Sequence, residues 1–262
     1  MPRPANIFPL PTLAILLAAL PAPDATAQDT APDGWSGTGE VGLALARGNS
    51  RSENLNLRLA FAREDDRRKH SLSASALRAK GEVSGDFDGD GTSEERYSLS
   101  ANRYELAGSS AWRFNPRNHL SGSARYERDD FSSYDYQATV ALGYGHHFIR
   151  SERTRLLAEA GPGYRRAREA DTGQVQSSLI VRGMVDFRHQ LTANTTLSNT
   201  LLVESGKDNT FAQNDLGISV SMNERFALKA GLQARHNTDV DAAAGIRRTD
   251  TLTTVNLVYN FR

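Results

Sequence analysis

The stretch TLTTVNLVYNFR, residues 251–262, decides the fold class, because apolar and polar side chains alternate in it almost to its end. A β-strand points successive side chains to opposite faces. The apolar face of this predicted strand consists of Val255, Leu257, Tyr259 and Phe261. The other face consists of Thr254, Asn256 and Asn260, interrupted by Val258. An unpaired strand at a terminus exposes a row of backbone hydrogen-bonding groups, so the stretch predicts a partner strand.

The same two-residue period recurs in twelve segments from Trp35 to the end of the chain, and nothing after residue 27 keeps a helical period over three turns. The breaks after the even-numbered segments are short, as in NPRN at 115–118. Those after segments 3, 7 and 11 are long and charged, and the others are intermediate. This alternation is typical of outer-membrane barrels, and an even strand count places both termini at the periplasmic rim. We therefore predict an all-β, up-and-down antiparallel barrel of about twelve strands, closed by pairing of 249–261 with 35–46.

The N-terminal stretch MPRPANIFPLPTLAILLAALPAPDATAQ has the pattern of a secretory signal peptide. Arg3 precedes an apolar run at 13–20, and Ala25-Thr26-Ala27 forms an A-x-A cleavage site. A membrane anchor is the rival interpretation, but the apolar run is shorter than the roughly 20 residues that a spanning helix needs. We expect a signal peptide at 1–27, a short lead at 28–34 and the barrel at 35–262.

Composition excludes several classes of protein. The 262 residues carry 31 Lys and Arg against 31 Asp and Glu, so the formal net charge is zero, which argues against a generic nucleic-acid binder. Cysteine is absent, which excludes disulfides and thiolate metal sites. Mean hydropathy is −0.52. Low hydropathy fits a barrel whose second face lines a polar lumen.

A soluble β-sandwich also alternates, and it is the main rival to a membrane barrel. Twelve long strands in two open sheets would leave four exposed edges, which closure removes. Aromatic residues also lie near the ends of the predicted strands, where interfacial girdles are found. They are Trp35, Tyr97, Trp112, Phe114, Tyr126, Tyr136, Phe148, Tyr164, Phe187, Phe226, Tyr259 and Phe261. Together with the signal peptide they favour the cell outer membrane.

Several stretches resemble a bacterial family known as salt-induced outer membrane proteins, or as a domain of unknown function. They are GWSGTGEVGLALARGNS, YERDDFSSYDYQATVALGYGHHF, EAGPGYR, DNTF, LKAGLQARHNTDV and TDTLTTVNLVYNF, and they span about 34 to 261. The resemblance implies an outer-membrane β-barrel of Gram-negative bacteria with no established catalytic residues, and a link to salt or osmotic stress. Such barrels commonly end in an aromatic residue read by the assembly machinery, whereas Phe261 is followed here by Arg262.

The histidines give no catalytic pattern. No G-x-S-x-G stretch occurs, and His236 next to Asn237 does not establish a triad, because triads are recognised by geometry and not by sequence position. His146 and His147 are adjacent, so a strand points them to opposite faces and they cannot share one metal ion without a bulge. We predict no enzyme, no catalytic residues and no cofactor.

The loop DFDGDG, residues 86–91, is a weak candidate for a divalent cation site. Asp86, Asp88 and Asp90 are spaced by two and followed by Gly91, as in a calcium loop. The twelfth position of that pattern requires Glu, but Tyr97 stands there. Asp and Gly are also the usual residues of a solvated turn, so both interpretations stay open.

Charges of both signs are expected on the inward face. The candidates are Glu40, Arg58, Arg125, Glu127, Glu159, Arg182, Asp186 and Arg188. Such charges either pair and plug a lumen of this size or line a narrow wet pore. The sequence thus favours a non-enzymatic barrel, with a passive channel for small polar solutes or ions as the alternative and a lipid hydrolase as a third. The expected partners are outer-membrane lipids, lipopolysaccharide and the barrel assembly machinery, with no nucleic acid and no known protein partner.

Overall fold

The computed structural model describes residues 34–46, 52–86, 88, 91–240 and 247–261, and these form twelve strands. The strands are β1 (Trp35–Ala46), β2 (Ser52–Glu64), β3 (Arg68–Gly85), β4 (Glu94–Arg113), β5 (Asn118–Asp129), β6 (Tyr134–Arg150), β7 (Thr154–Glu169), β8 (Val175–Gln190), β9 (Thr195–Gly206), β10 (Thr210–Ser221), β11 (Phe226–Asn237) and β12 (Thr249–Phe261). Each strand pairs antiparallel with its sequence neighbours, and β1 pairs with β12 to close the barrel. Among the described residues, none forms an apolar helix of membrane-spanning length. The predicted fold class is confirmed.

The closing seam joins the two ends of the described chain in register. Its partners run from Gly37 with Phe261 to Val41 with Leu257. The Phe261 ring occupies the space that a Cβ at Gly37 would need, and it lies 5.3 Å from the Phe61 ring on the other side of β1. Glycine at 37 therefore lets two aromatic rings meet across the first strand. The terminal strand has the partner that its alternation predicted, and Arg262 lies outside the described residues.

The apolar face of the sheet points outward, and the polar face points into the lumen. Leu179 is 79% exposed and Leu142 is 68% exposed on the outer surface. Glu127 and Glu204, by contrast, are buried inside the barrel. This arrangement is inverted relative to a soluble protein and is that of a barrel whose outer surface faces lipid. The soluble sandwich is therefore excluded.

Exposed aromatic side chains occupy two levels on the outer surface. Near the short turns, Trp112, Phe114 and Tyr144 follow one another at ring separations of 6.5 and 6.2 Å. Tyr104 and Tyr126 lie nearer the long loops. On β4, Tyr104 and Trp112 are eight residues apart, which is about 27 Å along the strand. Because strands tilt by about 40° from the barrel axis, the two levels are about 21 Å apart along that axis. This height is close to that of the apolar band of an outer-membrane barrel.

Three of the five short turns share one pattern of side-chain hydrogen bonds. In the turn after β4, the Asn115 side chain accepts backbone hydrogen bonds from Arg117 and Asn118 at 2.9 and 2.8 Å. Asn223 does the same after β10. Asp65 does so after β2, and these bonds hold the pKa of its carboxyl below the usual value. Asn and Asp stabilise turns by this local acceptor role, which is why these connections are short.

The opposite rim differs in part from the sequence-based expectation. The break expected after the third segment, residues 81–95, is shorter than predicted, because β3 and β4 extend the ladder to Gly85 and Glu94. Likewise β7 continues to Glu169. Polar residues continue a ladder wherever both faces meet water, and a period-two test for apolar residues cannot detect such extensions.

Candidate functional site: the charged lumen

All eight charged residues predicted on the inward face lie on the lumen side of their strands. Many of them form ion pairs there. Glu40 on β1, for example, binds the Lys229 ammonium on β11 at 2.8 Å, and it accepts a hydrogen bond from Asn256 on the intervening strand at 3.3 Å. Neighbouring walls of the barrel are therefore tied together by charge.

Arg125 on β5 is the centre of the network in the half of the lumen nearer the long loops. Its guanidinium lies 2.6 Å from Glu204 on β9, 3.1 Å from Glu127 and 3.8 Å from Glu105. Thr139 donates to the same Glu204 oxygen at 3.3 Å. Each buried carboxylate thus has a cationic or hydroxyl partner, as buried charges require.

Arg235 reaches this network from the facing wall. It lies on β11, six strands around the ring from β5. Its guanidinium forms a short ion pair with Glu127 and a second, at 3.3 Å, with Asp129. The side chains of Arg235 and Glu127 together therefore span the lumen.

Phe211, at the start of β10, fills the space beside these charges. It lies on the lumen face and is 0% exposed. The Arg125 and Arg235 guanidinium carbons lie 4.6 and 5.1 Å from its ring centroid, within the range of cation–π attraction. An apolar ring and two paired arginines thus occupy one level of the lumen.

The network continues toward the short-turn rim. Arg182 on β8 lies 3.9 Å from Glu204 and 2.9 Å from Glu159, which in turn meets His119 at 3.2 Å. The Glu159 side chain lies over Gly143, and the His119 ring lies over Gly145. The alternate glycines of LGYGHH make room for two polar side chains on the inner wall.

A second bridge lies nearer the long loops. The Tyr134 hydroxyl donates to Asp239 at 2.7 Å, and Arg165 donates to the Asn209 carbonyl at 2.7 Å. The buried Asn209 side chain donates to the Asn237 side-chain oxygen and accepts from the Asp239 backbone N–H. The described part of the lumen is thus bridged at two successive levels.

A cavity of about 400 Å³ remains at the short-turn end of the lumen. Its charged and titratable wall residues are Glu64, Lys69, Arg113, His119, His147, Arg150, Arg155, Glu159, Asp186 and Arg188. The barrel is therefore filled in its long-loop half and hollow and charged in its short-turn half.

The residues singled out for chemistry lie apart. His146 faces outward and binds Asn118 at 2.6 Å, whereas His147 lines the inner cavity. The ring of His236 binds the Thr249 hydroxyl at 2.8 Å. These side chains do not meet in a triad, and no group of three His, Asp or Glu residues within the described ranges is arranged to hold a metal ion.

The candidate cation loop is described only in part. Asp86 accepts a hydrogen bond from the Gly91 amide at 2.9 Å, and Gly91 has a φ of +84°. This geometry gives Asp86 the role of a turn residue. Asp88 is described as exposed, whereas Asp90 lies outside the described residues, so a metal site here stays a prediction.

Glu204, Arg235 and Phe211 fill the lumen but are not among the inward-facing residues predicted from the sequence. The alternation of side chains along β10 could have identified Phe211, because it lies on the same face of the strand as the polar residues Gln213 and Asp215. A large aromatic residue on the polar face of a predicted barrel strand thus indicates lumen filling. The alternation does not identify the residue that each lumen-facing side chain contacts on the opposite wall of the barrel.

The family model described as "Protein of unknown function, DUF481" matches residues 39–261. The "Uncharacterized protein YdiY" of Escherichia coli strain K12 is 26% identical over 161 residues, which are 62% of this chain and 63% of that protein. The match thus covers less than two thirds of the relative's length. Neither description mentions salt.

Solved structures resemble the barrel at low sequence identity. The NanC porin superposes with a TM-score of 0.50 at 8% identity, covering 87% of this chain and 100% of that one. The translocator domain of the autotransporter NalP from Neisseria meningitidis gives 0.49 at 11% identity, with 89% and 90% covered. At 8% identity the likeness to the NanC porin shows the fold alone.

Proposed function

We propose that this chain, which belongs to the DUF481 family, is a non-enzymatic integral outer-membrane β-barrel whose lumen is closed to bulk solute in its resting form. The observation that carries the proposal is the burial of Phe211, Glu127 and Glu204, which face the lumen yet are at most 2% exposed. A side chain that lined an open water-filled pore would be wetted.

The charge network supports a filled lumen over an open one. Arg125 and Arg235 are each paired with more than one carboxylate, so little of their charge is left to attract a passing ion. Breaking a buried pair from one side costs about 3–5 kcal/mol. A barrel of twelve strands lies midway between the filled eight-stranded class and the open sixteen-stranded porins, so the strand number favours neither state. A closed resting lumen is therefore supported by the pairing and burial of these charges.

Residence in the outer membrane is part of the proposal. It is supported by the apolar outer face, the aromatic levels and the signal-peptide pattern at 1–27. Lipids, lipopolysaccharide and the barrel assembly machinery are then the expected partners. Envelope fractionation followed by electrophoresis with and without heating tests this step. A heat-modifiable band in the outer-membrane fraction is expected, and an unshifted band in the soluble periplasm would overturn it.

Single-channel recording in planar bilayers tests the closed lumen. The native barrel is expected to lack a steady conductance, whereas Phe211→Ala opens a path along the space that the ring vacates. Leu142→Ala, which truncates an outward-facing apolar residue, is the matched control and is expected to stay closed. Heat-modifiability shows that each variant is folded. Steady conductance in the native barrel contradicts the proposal and favours the second candidate.

That second candidate is a narrow passive channel for small polar solutes or ions. It is favoured by the cavity of about 400 Å³, which lies in the short-turn half of the lumen. A lipid hydrolase is a third candidate, and hydrolysis of phospholipid by the refolded barrel across Ca²⁺ concentrations would establish it. The family resemblance also leads us to propose a role under salt or osmotic stress, which growth of a deletion strain in raised NaCl tests.

A further inference from the structure

Two arginines in the wall of the short-turn cavity face each other without a counter-ion. Arg155 on β7 and Arg188 on β8 are register partners, and both line the cavity. Like charges directly opposite each other on adjacent strands destabilise a sheet. No ion pair or side-chain hydrogen bond joins either guanidinium to another described residue. Arg125, Arg182 and Arg235 are paired and largely removed from solvent, whereas Arg155 and Arg188 are exposed in the open cavity.

The surrounding wall increases the positive charge. Lys69, Arg113 and Arg150 also line the cavity, which makes five cationic side chains against the three carboxylates of Glu64, Glu159 and Asp186. Glu64 is already paired with Arg113 and Lys69, and Glu159 with Arg182. Asp186 accepts from the Thr200 hydroxyl at 2.9 Å and makes no ion pair with Arg155 or Arg188. The acidic groups therefore do not neutralise the arginine pair.

A further polar group in this wall is unsatisfied. The Nδ1 atom of His147 is buried and has no hydrogen-bond partner among the described residues, and the His147 ring lies 6.0 Å from that of His119. Buried polar groups are rarely left without a partner. An oxyanion in the cavity would supply the hydrogen-bond acceptors that the two guanidinium groups lack, with the His147 ring in the wall beside it.

We infer that the short-turn cavity binds a small multivalent oxyanion, held by Arg155 and Arg188. Guanidinium groups recognise carboxylate and phosphate oxygens through paired, charge-assisted hydrogen bonds. A concave wall with an excess of positive charge also concentrates anions. The ligand class is a compact anion with two or more negative oxyanion groups, and it enters from the short-turn rim. This site does not depend on whether the lumen is closed beyond it.

Calorimetric titration of the refolded full barrel in neutral detergent at low salt tests the site. Inorganic pyrophosphate and citrate are the probes, because one presents phosphate oxygens and the other carboxylates, and glucose is the neutral probe. Both anions are expected to bind, with an affinity that falls as NaCl rises, while glucose does not. Arg155→Gln and Arg188→Gln should each weaken binding roughly tenfold, and the double variant roughly a hundredfold. Arg166→Gln is the matched control, because Arg166 lies on the same strand but faces outward.

A second measurement separates loss of a site from loss of folding. Without anion, the Arg155→Gln/Arg188→Gln variant should unfold at a temperature no lower than that of the native barrel, since it removes a like-charge pair. Pyrophosphate should raise the unfolding temperature of the native barrel and leave that of the double variant unchanged. The inference is wrong if neither anion binds the native barrel. It is also wrong if Arg166→Gln weakens binding as much as Arg155→Gln, because the attraction is then a property of total charge.

Discussion

Glu127 and Arg235 meet across the lumen from strands on opposite sides of the ring. The sequence separates them by 108 positions, and both are nearly fully buried. Their ion pair joins β5 directly to β11, which no backbone hydrogen bond can do in a closed ring. The interior of this barrel is therefore held together by buried ion pairs, whereas the core of a soluble protein consists mainly of apolar side chains.

A double-mutant cycle on this pair tests that view. Glu127→Gln leaves the Arg235 charge buried with fewer partners and is expected to lower the free energy of unfolding by about 3–5 kcal/mol. Arg235→Gln should cost a similar amount. The double variant should cost less than the sum of the two. Urea unfolding in detergent micelles, followed by tryptophan fluorescence, measures each term.

The matched control for this cycle is an exposed pair. Arg128 and Asp130 are 3.4 Å apart with side chains 63% and 41% exposed. Arg128→Gln should change the free energy of unfolding by less than about 1 kcal/mol. Equal effects at the buried and exposed pairs would show that the lumen is wet at this level.

The alternate glycines of β6 provide a second prediction. A Cβ at Gly145 would overlap the His119 ring. Gly145→Ala should therefore destabilise the barrel by about 1–3 kcal/mol, as overpacking does. The cost should largely disappear in a His119→Ala background, which removes the overlapping ring. Gly183→Ala is the control, because nothing lies within 4 Å of a Cβ there. An equal cost in both backgrounds would mean that the glycine is needed for its backbone alone.

The sequence predicts the architecture well because every strand repeats one simple rule. Alternation gives twelve strands and the pairing of β1 with β12, and the polar face of each strand identifies inward charges such as Arg125 and Glu127. The partners of these charges are not predictable from one strand, since contacts such as Arg125 with Glu204 depend on strand order and stagger around the whole ring. The position of Arg155 opposite Arg188 in the cavity also depends on the register between two strands. Only the pairing of β7 with β8 places Arg155 opposite Arg188.

Depth in the membrane provides a third prediction. Val181 and Ser177 lie on the same strand and both face outward, but Ser177 is nearer the long-loop rim. Val181→Arg should cost about 2–4 kcal/mol in lipid, and Ser177→Arg about 0–1 kcal/mol. Urea unfolding from phospholipid vesicles measures both changes. Equal small costs at the two positions would show that this face of the barrel does not contact hydrocarbon.

The closing seam can be tested with a disulfide, because the native chain has no cysteine that would form competing disulfides. Thr38 on β1 and Asn260 on β12 are register partners. Directly opposed residues in antiparallel strands have Cα atoms about 4.5–5.5 Å apart, within the range that a disulfide spans. Thr38→Cys/Asn260→Cys should form a disulfide under mild oxidation, detected as a shift in mobility that a reductant reverses. Thr38→Cys/Asn256→Cys places the second thiol on the same face but about 13 Å further along the strand, and it should stay reduced. Cross-linking of the second pair instead of the first would mean that the barrel closes in another register.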